Sequence, residues 1–218
     1  MNDDERNIIK TLNKLGVDTR YISLYENKIY INNIKFSRFS RKKEDDFHQT
    51  YPDIMVIRSK LFQKICVKVS RTVKSQIKPR DVLYISDDST PKSLLLNVVM
   101  EPYKRKYGIT VTDDFAKANK SVSSMCINDF VNEYVRLMIN ANRITGCLEE
   151  NVVYPLIHID NEWINDWIKT TDLCYDLEDE FDDEVEDEII EFLDTKIPNV
   201  RESIMQSVDY LDAIDRKI

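Results

Sequence analysis

The stretch from Val82 to Thr112 restricts the fold more than any other part of the chain. Val82-Leu83-Tyr84-Ile85 is a short apolar run without polar alternation, followed at once by the polar turn Ser86-Asp87-Asp88-Ser89-Thr90-Pro91-Lys92-Ser93. Leu94, Leu95, Leu96, Val98, Val99, Met100 and Tyr103 then predict a helix, kinked or cut short at Pro102 and finished by Gly108. Ile109-Thr110-Val111-Thr112 reads as a second strand. A strand covered on both faces shows a continuous apolar run, as over 82–85, and two strands joined by a helix in this way run parallel. The expected fold class is α/β, a parallel sheet with flanking helices.

Four segments are expected around this unit. Residues 1–53 form an N-terminal appendage: a short helix over 5–15 ending near Gly16, small strands between Tyr21 and Phe36, and a polar, basic loop over 37–53. Residues 54–175 form the α/β domain. It opens with a helix over 54–75, on which Ile54, Ile57, Leu61, Ile65, Val69 and Val73 recur every three or four residues. A helix over 122–139, a strand near 152–156 and a helix capped by Asp160 follow. Residues 176–191 carry eleven acidic side chains and read as a solvated acidic linker; residues 192–218 are a C-terminal helical segment, with a helix from about Val200 to Ile214.

Composition narrows the function. There are 3 glycines in 218 residues, so phosphate binding by a glycine-rich loop is hard to support. The four cysteines, Cys66, Cys126, Cys147 and Cys174, form no C-x-x-C pair and read as reduced, buried thiols, not zinc ligands. No apolar run is long enough for a membrane span, and the Met-Asn-Asp-Asp-Glu-Arg start does not read as a secretory signal. The net charge of −8 hides a split. Residues 1–110 carry 22 Lys and Arg against 13 Asp and Glu, a balance of +9, which leaves −17 for residues 111–218. A basic half beside an acidic half suits a surface that faces a polyanion.

A strand, a serine-led turn and a helix place an anion at a helix N-terminus. The arrangement resembles the PP-loop family of ATP-dependent tRNA-modifying enzymes, whose signature after the first strand is Ser-Gly-Gly-x-Asp-Ser. Ser86-Asp87-Asp88-Ser89-Thr90-Pro91 keeps only the leading serine. Asp87 and Asp88 would set two negative charges beside a pyrophosphate, and Pro91 removes a donor N–H. The phosphate loop therefore reads as degenerate, with Asp88 or Ser89 as the cap of the following helix.

Further stretches are similar to one branch of that family, the second, non-catalytic subunit of the cytoplasmic tRNA 2-thiolation complex. Lys60-Leu61-Phe62-Gln63-Lys64-Ile65 through Asp81 resembles its basic helix and the D-x-V-L start of the first strand. Ser121 to Asn128, Tyr154-Pro155-Leu156-Ile157 through Trp163, and Phe192 through Leu211 resemble later family segments in the same order. The resemblance implies a PP-loop-like fold and no catalysis by this chain alone. It also implies a cytoplasmic heterodimer with a catalytic thiolation subunit, bound tRNA, and sulfur from a thiocarboxylated ubiquitin-like carrier. The complex would 2-thiolate the wobble uridine of Lys, Glu and Gln tRNAs. The family's zinc-binding cysteine pairs have no counterpart before Cys66. No cofactor is expected, neither ATP nor a metal.

The residues expected to meet tRNA are Arg38, Arg41, Lys42, Lys43, Lys60, Lys64, Lys68, Arg71, Lys74, Lys78 and Arg80. At about 100° per residue, Lys60, Lys64, Arg71 and Lys74 share one helix flank, suited to tracking a phosphate backbone. Phe39 among the arginines suits base stacking. His48 and His158 lie 110 residues apart without a partner set for metal or acid–base work. Two other readings stand beside this one: an active ATP-dependent tRNA-modifying enzyme with a divergent loop, and an acidic protein–protein adaptor.

Overall fold

The computed structural model describes residues 3–86, 88, 90–141, 148–171 and 185–215, with only the backbone for 209 and 212–215. In chain order the elements are α1 (Asp3–Lys14), β1 (Ile22–Tyr25), β2 (Lys28–Ile31), α2 (Ile34–Ser37), α3 (Arg41–His48), β3 (Met55–Ile57), α4 (Lys60–Gln76), β4 (Val82–Ile85), α5 (Pro91–Met100), α6 (Tyr103–Lys106), β5 (Thr110–Thr112), β6 (Lys120–Val122), α7 (Ile127–Ile139), β7 (Val152–Val153), α8 (Asn161–Lys169), α9 (Val185–Asp194) and α10 (Val200–Asp215).

The expected parallel sheet is present. Its four strands lie in the order β5-β4-β6-β7, and every pairing is parallel. The chain leaves β4 toward β5 on one side, then crosses to β6 on the other. The strand order thus reverses between β4 and β6, and this is where open parallel sheets offer a crevice beyond their carboxyl ends. The mixed α/β layout, with a parallel sheet flanked by helices, is Rossmann- or PP-loop-like. One apolar cluster joins Leu83 and Ile85 of β4 to Phe62, Ile65 and Val69 of α4, Leu95 of α5 and Trp167 of α8. Another holds Phe130, Val131 and Tyr134 of α7 with Ile190 of α9 and Val208 of α10.

The N-terminal residues make a second, three-stranded sheet. β1 pairs antiparallel with β2, and β3 pairs parallel with β2. It has its own cluster, including Ile8, Leu12, Ile22, Ile29, Phe39 and Phe47. Arg105 of α6 fastens this sheet to the main body: its guanidinium donates to the Thr19 carbonyl at 2.9 Å and the Ile22 carbonyl at 2.8 Å. Glu101 completes the staple, pairing with Arg105 and accepting from the Leu24 N–H at 3.0 Å.

Several expectations require correction. The helix expected over 54–75 begins only at Lys60, because Ser59 caps it by accepting from the Phe62 N–H, and Met55-Val56-Ile57 pairs with β2 as a strand. The loop expected over 37–53 contains α3, capped by Ser40, with Phe47 fully buried. Ile34–Ser37 is one helical turn, not a strand. The helix expected from 122 starts at Ile127, since Lys120–Val122 inserts as β6 between β4 and β7. The acidic linker expected to reach 191 gives way at Val185 to α9, whose Ile190 is fully buried. The rest of that stretch lies outside the described residues. Gly16 ends α1 at φ +72°, as its position after the apolar period requires.

Candidate functional site

At the carboxyl end of β4 the chain turns through Ser86 to Thr90 and enters α5. Thr90, and not Asp88 or Ser89, is the helix cap: its hydroxyl oxygen accepts from the Ser93 N–H at 3.1 Å, and Pro91 occupies the first turn, where its missing N–H costs nothing. Ser93 is buried and donates its hydroxyl back to the Ser86 carbonyl at 3.2 Å, which closes the turn on itself. The Ser86 hydroxyl bonds the Asp88 carboxylate. Asp87 and Ser89 lie outside the described residues.

The cation that would greet an anion here is already engaged. Lys92 Nζ lies 2.7 Å from Asp129 Oδ1, at the start of α7. The other Asp129 oxygen accepts from the Cys126 N–H at 2.9 Å, so one carboxylate caps α7 and binds the first turn of α5 across the switch point. Asn128 extends this network by accepting from the Asn161 N–H at 3.0 Å, and the Cys126 thiol lies 3.0 Å from the Asn161 side-chain oxygen. Burial, reinforced by Asp129, pushes the Cys126 thiol up to about 12. Burial likewise raises Cys66 far above the ordinary thiol range. Both shifts run opposite to the lowered pKa of a nucleophilic cysteine. Cys147 and Cys174 are outside the described residues. Among the described residues no group of three or more His, Cys, Asp and Glu could hold a metal ion, and no helix is long and apolar enough to cross a membrane.

The basic residues fall into two groups on different packing units. Lys60, Lys64, Arg71 and Lys74 are exposed along α4, opposite the buried face of Phe62, Ile65, Val69 and Val73, and form no ion pair with a described residue. Lys78 and Arg80 continue outward from the end of α4, Arg80 at φ +69°. Lys68 instead turns inward: its ammonium bonds the His158 carbonyl at 3.0 Å and sits 5.1 Å from the Trp163 ring centre.

Arg38, Arg41 and Lys42 are exposed around α3, with Arg41 paired to Glu44, while Lys43 donates to the Gly16 carbonyl at 2.7 Å. Phe39 cannot stack on a base: it is 2% exposed and packs edge-on against Phe47. Arg58, which the periodicity places in the apolar stripe, lies before α4 and pairs with Glu44 at 2.7 Å. His48 bonds the Ile54 carbonyl at 2.9 Å.

Sequence reasoning missed Asp129 and Asn161. The signal for the first was present in Cys126-Ile127-Asn128-Asp129, where an acidic residue stands at the third helical position.

A search of known proteins adds one finding. Over 91 residues, 41% of this chain, the sequence is 35% identical to a "Probable sulfurtransferase" of Methanocaldococcus jannaschii. The aligned region spans 27% of that protein's length, so the chain matches about a quarter of its relative. No protein-family profile and no solved structure matches the chain. The chain is thus similar over part of its length to a probable sulfurtransferase and holds a Rossmann- or PP-loop-like parallel sheet.

Proposed function

We propose that the chain is a non-catalytic, tRNA-contacting subunit of a complex that 2-thiolates the wobble uridine of tRNA, pairing with a catalytic thiolation subunit. The observation that carries this reading is the Lys92–Asp129 bridge between the first turns of α5 and α7, beside the β4–β6 strand-order reversal where a PP-loop enzyme would seat its nucleotide. With its lysine turned to a carboxylate and a further carboxylate on Ser86, the turn is electrostatically set against a triphosphate. The likeness to a sulfurtransferase supports sulfur chemistry as the setting. The free basic flank of α4 supports polyanion contact.

The division of labour follows from these features. The partner supplies nucleotide activation of the uridine and receives sulfur from a thiocarboxylated ubiquitin-like carrier. This chain supplies phosphate contacts through Lys60, Lys64, Arg71 and Lys74, with Lys78 and Arg80 extending the path. Such contacts give affinity that is indifferent to sequence and falls steeply with salt.

Two measurements test the reading. Calorimetric titration of the chain with ATP should show no binding at sub-millimolar concentrations; binding there would restore the active-enzyme alternative. Replacing Lys60, Lys64, Arg71 and Lys74 by Glu should weaken tRNA binding by the complex and flatten its salt dependence, with wobble thiolation reduced. Unchanged affinity and thiolation would leave only a scaffolding role.

A further inference from the structure

A second concave site lies well away from the β4 turn, where the N-terminal sheet meets α4, α5 and α6. It is a cleft of about 370 Å³, within the range of small-ligand pockets, about 300–1,000 Å³. Its chemistry is unusual in combination. Three cations, Arg20, Arg71 and Lys106, line it together with the aromatic rings of Tyr21, Phe36 and Tyr103. Phe36 is 52% exposed and rests on Tyr21, ring centres 5.2 Å apart and tilted by 32°. A flat apolar ring is thus presented to solvent at the rim of a basic hollow.

The charges in the cleft are unbalanced. Arg20 is satisfied by Asp18, its Nε and Nη2 donating at 2.9 and 2.8 Å. Arg71 and Lys106 have no carboxylate partner among the described residues. Lys106 stands over three rings, 5.9 Å from the centre of Tyr21, 5.3 Å from Tyr103 and 5.6 Å from Tyr107. Partial burial first, then the neighbouring Arg20, lower its pKa. An ammonium drawn partly out of water beside a guanidinium gains from an anion placed between them.

We propose that this cleft binds one nucleotide unit of a single-stranded RNA segment, its base stacked on the exposed face of Phe36 and its phosphate held by Lys106 and Arg71. The combination is what a nucleotide requires, a flat apolar surface and cations within one cleft. Arg71 also belongs to the exposed flank of α4, so a strand following that flank through Lys60 and Lys64 arrives at the cleft without leaving the basic surface. The inference rests on the tRNA-contacting reading for its source of nucleotide; the same chemistry would also accept a free nucleoside monophosphate.

The test uses the full chain with three probes: a short oligouridylate carrying 5-iodouridine, uridine 5′-monophosphate, and whole tRNA. Irradiation should crosslink the oligouridylate to the peptide containing Phe36 or Tyr21. Phe36→Ala, at an exposed ring, and separately Lys106→Gln should each weaken oligouridylate by about tenfold, the loss expected of one stacked base or its phosphate contact. A variant with Lys60, Lys64 and Lys74 changed to Glu should keep that crosslink while losing tRNA affinity. Tight monophosphate binding that both cleft variants abolish would uphold the site and assign it to a free nucleotide. If the native chain binds tRNA but neither cleft variant changes any affinity, the cleft proposal falls and the tRNA-contacting reading survives. If the native chain binds none of the three probes, both fall.

Discussion

Lys92, in the first turn of α5, reaches Asp129, in the first turn of α7, with 2.7 Å between Nζ and Oδ1. Because Asp129 also accepts from the Cys126 N–H, the bridge ties the start of one helix to the cap of another. Asp129→Ala should therefore cost more than an exposed ion pair: about 1–2 kcal/mol, the range of a lost cap. Thermal melting should fall by about 2–4 °C for each kcal/mol at this chain length. A variant melting with the native protein would mean that the start of α7 is held by other contacts.

The turn after β4 invites a gain-of-binding experiment. Changing Asp87 and Asp88 to Gly removes two carboxylates and frees the Ser86 hydroxyl from Asp88. Titration with inorganic pyrophosphate should then reveal tighter binding than to the native chain, and adding Asp129→Asn should strengthen it by releasing Lys92. No gain in either variant would locate the obstacle in the backbone path of the turn, not in its charge.

Arg105 and Glu101 are each 13% exposed at the side chain, and both serve backbone groups of the N-terminal segment. Arg105→Ala leaves Glu101 without its cation and the Thr19 and Ile22 carbonyls without their donor. Removing one partner of a buried pair costs about 3–5 kcal/mol. Denaturant unfolding should register that loss, and hydrogen exchange should quicken at the Leu24 amide. Exchange unchanged there would show that apolar packing alone holds the small sheet.

Asp81, 7% exposed, lies 2.9 Å from Lys120 Nζ. Burial alone would raise its pKa, but the Lys78 N–H, Lys120 and Asn119 outweigh it and hold the carboxyl below its ordinary value. A carboxylate with a depressed folded pKa stabilises fully above its unfolded value, about 3.9, and loses that contribution as pH falls through the folded pKa. Asp81→Asn should lower stability at neutral pH and flatten the acid limb of the stability curve below about pH 4. An acid limb identical to the native one would remove Asp81 from the acid response.

What the sequence made legible follows hydrophobic pattern. β4 and α5 were readable because Leu83, Ile85, Leu95 and Val99 are buried in apolar runs, and β5 because Ile109 and Val111 follow the break at Gly108. β6 was not: Lys120-Ser121-Val122 contains one apolar residue, and its place in the sheet is fixed by neighbours on both sides, with Lys120 neutralised by Asp81. α3 hid in the same way, because Arg41-Lys42-Lys43-Glu44-Asp45-Asp46 looks solvated until Phe47 and the Glu44–Arg58 pair are seen to turn one face inward. In the turn after β4 the acidic residues were legible, but not the geometry. That Lys92 would point at Asp129 depends on the β4–β6 adjacency, which no local pattern encodes. The cleft was invisible for the same reason: Arg20, Phe36, Arg71 and Lys106 come from separate elements and meet where the N-terminal sheet packs on α4, α5 and α6.

The outer strands of the two sheets are short: β5 and β3 have three residues each, β1 four and β7 two. An unpaired strand edge recruits other chains by offering a row of open backbone donors and acceptors, and recruitment strengthens with the length of the row. Here a second molecule laid along β7 or β5 would find only a rung or two before the chain turns away. Such brevity thus blunts edge-to-edge aggregation, and it does so through backbone length.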